Sequence, residues 1–145
     1  MIIMEFLALL FCGIFFGAAV YISIAQHPAA MYAGTPVAST FFPPMYARAA
    51  PMQITSAVGG TLAGLVQWYL TGNMLWMIGA VLLVSVIPFT LIVMKPINDQ
   101  LLNPALNLSE AESESLLVAW AKRHWVRSIA SGAGFMVYLW VSIAA

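Results

Sequence analysis

Residues 6–25 carry no charged side chain, and three more such stretches follow, from about Ala49 to Thr71, Met74 to Met94 and Ser128 to Ala145. Each approaches the ~20 helical residues needed to cross a hydrocarbon core. Strand-type alternation is absent, and lipid leaves an open sheet's backbone unsatisfied, so the spans are expected to be helices. The fold class that follows is all-α, a four-transmembrane-helix antiparallel bundle whose fourth helix extends beyond the bilayer. Helices are expected over about residues 3–26, 44–71, 73–95 and 109–145, in a single membrane domain covering residues 1–145. The segment before the first stretch holds Glu5 and no Lys or Arg, the wrong sign for a signal peptide, so that stretch reads as a retained helix.

Composition narrows the function. Hydrophobic residues make up 63% of the chain and charged residues 7%, with five basic against five acidic; soluble domains have roughly 45–50% and about 25%. So few charges cannot cover the surface of a soluble enzyme, and without a basic excess there is no footprint for nucleic acid. Abundant aromatics exclude a disordered chain. Cys12, the single cysteine, excludes a disulfide framework and a thiolate-built metal cluster.

The connections set the topology. Thr71-Gly72-Asn73 reads as a tight turn, whereas His27 to Pro43 and Lys95 to about Leu108 read as long links on one face. Arg48, Lys95, Lys122, Arg123 and Arg127 all fall on that face. The positive-inside rule then places the long links in the cytoplasm and both termini in the periplasm of a bacterial inner membrane. Trp68, Tyr69, Trp76, Tyr138 and Trp140 would form an outer aromatic belt, and Tyr21, Tyr46, Trp120 and Trp125 an inner one. Ser109 and Glu112 make a capping box, and a helix running on from Glu110 towards Ala145 would be ~50 Å long at 1.5 Å per residue.

Small and polar residues recur at helical spacing. The second span carries Tyr46, Gln53, Ala57, Gly60, Gly64 and Gln67; the fourth carries Trp120, His124, Arg127, Ser131, Gly134 and Tyr138. Gly13 and Gly17 form a small-xxx-small pair in the first. In lipid such stripes mark helix contacts, and packing accounts for the glycines. Pro88 lies inside the third span and should kink it, either as a tolerated bend or as a bend that opens the inner end of the bundle.

Titratable and polar residues gather at that inner end. His27-Pro28 is expected to end the first helix, Tyr46 and Arg48 to open the second, and Asn98 to follow the third. Trp120, His124 and Arg127 share one face of the fourth at i, i+4 and i+7. Lys122 and Arg123 fit headgroup snorkelling; Arg127 does too, but its face also carries the inward stripe, which suits a site. His27 and His124 are too few for a metal site, and Asp99 is the one nearby carboxylate. No metal is expected, and no bound nucleotide cofactor either, since no Gly-rich phosphate loop or dinucleotide fingerprint is present. A histidine base beside Arg127, Asn98 and an aromatic side chain fits proton abstraction with stabilisation of an anion.

These same residues carry a resemblance. The chain resembles the anthrone oxygenase-like family of small four-helix membrane proteins. The matching pieces are Gly17 with His27-Pro28, Phe42-Pro43-Pro44-Met45-Tyr46-Ala47-Arg48-Ala49, and Pro88-Phe89-Thr90 through Met94-Lys95-Pro96-Ile97-Asn98 with Leu101. The last is Trp120-Ala121-Lys122-Arg123-His124-Trp125-Val126-Arg127. Ile97 departs from a usual Thr and Arg123 from a usual Leu.

The resemblance implies an oxygenase without metal or flavin, acting on an anthrone-like or phenolic or quinol-like aromatic with O₂ after deprotonation. On that basis the catalytic set is His124 as base, Arg127 and Asn98 as oxyanion holders and His27 as an alternative base. Trp120, Tyr46 and Arg48 form the expected substrate pocket. Expected partners are the lipid bilayer and an aromatic, polyketide-like or quinone-like small molecule. The competing reading is a non-enzymatic accessory or assembly subunit, in a homo-oligomer or a larger membrane complex. A transporter is a third, and it lacks the mid-membrane carboxylate that proton coupling calls for.

Overall fold

The computed structural model describes residues 2–144, and the expected helix end at residue 145 lies outside them. The described residues form four long helices and no strand: α1 (Ile2–Tyr32), α2 (Thr35–Thr71), α3 (Met74–Leu102) and α4 (Glu110–Ile143). Each packs chiefly on two neighbours, α1 on α2 and α4, and α3 on α2 and α4. The helices α1, α3 and α4 are long and apolar enough to cross a membrane. The α2 helix is longer than any of them, but its most apolar stretch falls short of theirs. Its polar side chains Gln53, Ser56, Thr61 and Gln67 are buried, while Ile54, Val58, Leu62, Val66 and Leu70 form an exposed stripe.

The expected long links are mostly helical, which corrects the sequence reading. His27-Pro28 does not end the first helix. A π-helical segment, Ile22–Gln26, precedes it, His27 N–H reaches the Ile22 carbonyl, and α1 continues to Tyr32. Lys95-Pro96 repeats the device: the π segment Thr90–Met94 closes with Lys95 N–H on the Thr90 carbonyl, and α3 continues to Leu102. A proline lacks the N–H and crowds the carbonyl of i−4; a wider turn just before it lets the helix carry on.

The α2 helix likewise begins at Thr35 rather than near residue 44, running through Pro43, Pro44 and Pro51. Ala38 and Phe42 hold this early part, buried with Ile22, Met94, Leu117 and Trp120 in one apolar cluster. Pro88 interrupts the regular hydrogen bonding of α3. The regular helix breaks at Ser85, whose hydroxyl donates to the Leu82 carbonyl, and Thr90 Oγ1 donates to the Val86 carbonyl.

Two local signals in the sequence have direct counterparts. Gly72 takes a left-handed φ of 68° and caps α2 on the Trp68 carbonyl, and Asn73 Oδ1 accepts the Leu75 N–H to start α3. Ser109 N–H donates to Glu112 Oε2 at 2.8 Å while Ser109 Oγ accepts the Glu112 N–H, forming the capping box of α4.

At the end away from the basic residues, Trp76 and Tyr138 are buried, not belted at an interface. Their rings lie 5.3 Å apart, and the Tyr138 hydroxyl donates to the Gly60 carbonyl at 3.1 Å. A β-carbon at Gly64 or Gly79 would overlap the Tyr138 ring, so these two glycines make the space it fills. Gly17, by contrast, is exposed and has no neighbour for a β-carbon to meet.

Candidate functional site

The site is built on one face of α4. Trp120, His124 and Arg127 follow one another at helical spacing, and all three line a cavity of about 140 Å³ among the four helices. Its other walls are mostly apolar, with Phe15 and Ile22 from α1, Tyr46 and Gln53 from α2, and Val86 and Thr90 from α3. The π segment of α3 thus forms part of the wall, and the π segment of α1 supplies both Ile22 and the partner of His124 described next.

His124 is buried at 1% exposure. Its Nδ1 lies 3.0 Å from Ser23 Oγ, which lies 2.9 Å from Ser128 Oγ, and its Nε2 has no hydrogen-bond partner. One face of the ring stacks on Trp120, with centroids 4.7 Å apart. Trp120 is itself fixed on several sides. Its Nε1 donates to Asn98 Oδ1 at 2.8 Å, Phe42 meets it edge-on at 5.3 Å, and His27 lies against it at 5.2 Å. Tryptophan buries a large apolar surface but needs a partner for its one N–H, which Asn98 supplies.

Arg127 donates to Gln53 Oε1 and sits over the Phe15 ring, 5.4 Å from its centroid. Among the described residues the one ion pair is Lys95–Asp99, which is exposed, so the Arg127 guanidinium faces the cavity with no carboxylate beside it. Its Nε and the amide nitrogen of Gln53 are buried without partners. A charge drawn partly out of water is costly unless paired, so this arrangement favours an anion in the cavity.

The expected site residues therefore divide. Tyr46, Trp120, His124 and Arg127 meet at the cavity. Asn98 is buried but turned to Trp120, not to the cavity, and so acts on the site through the indole. His27 lies behind Trp120, beside a separate small void, with its Nε2 unpartnered. Arg48 is exposed and borders an outer depression with Tyr21 and Gln26. No group of three or more His, Cys, Asp and Glu forms among the described residues; the two histidines flank Trp120 instead.

Sequence reasoning passed over Ser23 and treated Gln53 as packing. Gln53 was legible as the amide of the α2 stripe nearest Tyr46 and Arg48; Ser23 had no signal, because its partner lies in another helix. Arg123, the residue that departs from the family's usual Leu, donates to the Val93 carbonyl at 2.7 Å and ties α4 to the π segment of α3.

Neither among curated proteins nor among solved structures does any match the chain. The sequence model of the family described as anthrone oxygenase matches residues 42–137. That range takes in Tyr46, Gln53, Asn98, Trp120, His124 and Arg127, and leaves Gly17, Ser23 and His27 ahead of it. Spanning well over half of the residues and the whole α4 face of the cavity, this match shows that the chain belongs to the anthrone oxygenase family.

Proposed function

We propose that this protein is an integral membrane oxygenase that deprotonates an anthrone-like, phenolic or quinol-like aromatic and lets the resulting anion react with O₂. The observation that carries the reading is Arg127: a guanidinium without a carboxylate partner, lining an apolar cavity beside a histidine whose Nε2 is unpaired. Deprotonation needs a base, and His124 supplies one when its Nδ1–H donates to Ser23 and its Nε2 keeps the lone pair. The anion needs a fixed positive partner in a medium of low dielectric, and Arg127 with Tyr46 nearby suits that role.

For an anthrone the chemistry balances without a further reductant. His124 takes one methylene proton, and the electron-rich anion passes an electron to O₂. Recombination forms a carbon–oxygen bond and a hydroperoxide. Loss of the second methylene hydrogen with cleavage of the O–O bond leaves a carbonyl and releases one water. The family resemblance implies that neither metal nor flavin takes part.

We further read all four helices as crossing the bilayer antiparallel. The pattern of α2 supports this, because its polar residues face inward and its exposed stripe is apolar, the reverse of a soluble helix. Arg48, Lys95, Lys122 and Arg123 are all exposed near the cavity end, which favours that end on the cytoplasmic side of a bacterial inner membrane.

The test is oxygen uptake and quinone formation from anthrone by the protein in nanodiscs, measured above empty nanodiscs. The wild type should accelerate both, and His124→Ala should lose about 100-fold. Equal rates for the two proteins would remove His124 as the base, and no acceleration by the wild type would remove the reading.

A further inference from the structure

Beyond Ser85 the helices α2 and α3, closely packed along Met74–Val84, touch only sparsely. The cavity lies against this gap. Its lining there comes from Ala49, Ala50 and Ile54 of α2 and from Ile87 and Leu91 of α3. Two of these residues face both ways, since Ile54 is 58% exposed and Leu91 60% exposed, although both border the cavity. On the bundle's outside they continue an apolar surface with Val58 and Ile92. The widened turn Thr90–Met94 lies on the α3 side of this gap and carries Leu91.

We infer that this gap is a lateral portal, through which the site takes a phenol dissolved in the membrane. The phenolic oxygen lies at Arg127 and an apolar chain passes out between Ile54 and Leu91. The inference rests on the reading of the cavity as a site for an aromatic anion. Size argues for it: about 140 Å³ is close to the ~150 Å³ of an engineered cavity that takes up benzene, so the cavity holds about one ring. Whatever else the ligand carries leaves through the opening, and that opening is lined by aliphatic side chains. Across the cavity stand Arg127 and Gln53, whose polar groups would orient the ring oxygen inward. A chain lying in lipid holds such a ligand by partition, with one charged hydrogen bond setting its orientation.

The experiment uses the full chain in phosphatidylcholine nanodiscs with radiolabelled para-octylphenol, counted above empty nanodiscs, with unsubstituted phenol as the chainless comparison. Ile54→Trp and Leu91→Trp fill the gap, and Leu62→Trp puts the same bulk on the lipid face of α2 away from it. Retained octylphenol should fall about tenfold in each gap variant, a loss of ~1.4 kcal/mol, and stay unchanged in Leu62→Trp. Octylphenol should also bind more tightly to the protein than phenol does. Unchanged retention in both gap variants overturns the portal, as does wild-type binding no greater than that of empty nanodiscs. Oxygen uptake from anthrone, followed in the same samples, separates the two readings. Portal-dependent binding without uptake leaves the portal standing and removes the oxygenase. Uptake with indifferent gap variants does the reverse.

Discussion

Ser23 Oγ lies 3.0 Å from Nδ1 of His124, joining two residues 101 positions apart. The serine hydroxyl has a single hydrogen. If it donates to Ser128, it accepts from His124 Nδ1–H, and the imidazole is held in the tautomer whose Nε2 is basic. Removing the hydroxyl leaves the ring in place on Trp120 but frees its tautomer. Ser23→Ala should therefore lower kcat for anthrone oxidation about tenfold with KM little altered, and Ser23→Thr should restore most of it. A rise in KM at constant kcat would show that Ser23 serves the cavity's shape instead.

The charge at Arg127 gives a second expectation. Arg127→Gln keeps a hydrogen-bonding side chain and removes the guanidinium. Hydrogen bonds to charged groups contribute about 1.5–3 kcal/mol, so the dissociation constant of a phenolate ligand should rise on the order of 10- to 100-fold. A neutral analogue without the oxygen should bind both proteins alike, by equilibrium dialysis against nanodiscs. Equal loss for both ligands would point to collapse of the cavity.

Glycine positions separate packing from mere composition. Gly64→Val should lower the melting temperature in mild detergent sharply, because the added carbons overlap the Tyr138 ring; overpacking of this kind costs about 1–3 kcal/mol or more. Gly17→Ala, with no neighbour near its β-carbon, should be neutral within about 0.5 kcal/mol. Tyr138→Phe should cost about 1 kcal/mol for the bond to Gly60.

The start of α4 should be sensitive to pH. Hydrogen bonds from the Ser109 backbone N–H and then its hydroxyl hold the Glu112 carboxyl below the usual carboxylate range. A depressed folded value means that the cap's contribution is full above the unfolded pKa of ~4.3 and disappears as pH falls through the folded one. At neutral pH, Ser109→Ala should reduce hydrogen-exchange protection around residues 110–114 about fivefold. In acid the wild type should approach the variant, and a difference that persists unchanged would assign the cap to Ser109 Oγ alone.

Much of this was legible where the signal is local. The Ser109-Glu112 box and the Gly72-Asn73 turn act within a few residues, and the α4 face of Trp120, His124 and Arg127 follows from helical spacing alone. Proline misled at Pro28 and Pro96, because the rule for stopping a helix assumes that water will take up the freed carbonyls; here the chain widens its turn instead. Tyr138 has the composition of an interfacial aromatic but buries its hydroxyl on Gly60, a partner that only the packed bundle provides. Asn98 was readable as a polar residue near the site, but its preference for the Trp120 indole depends on how α3 and α4 meet.

The two wide turns also tie the site to the count of residues in the chain. Each π segment takes up one residue more than a regular turn of the same reach, and one residue corresponds to ~100° of rotation about a helix. His27 and the segment Lys95–Leu102 therefore point where they do because α1 and α3 each carry an extra position just upstream. Shortening either segment by one residue would press Pro28 or Pro96 against the carbonyl four residues earlier, and would swing His27 off Trp120 or Asn98 off the indole. In this bundle an insertion or deletion upstream of either proline is a change of phase, and the aromatic stack at Trp120 is what that phase sets.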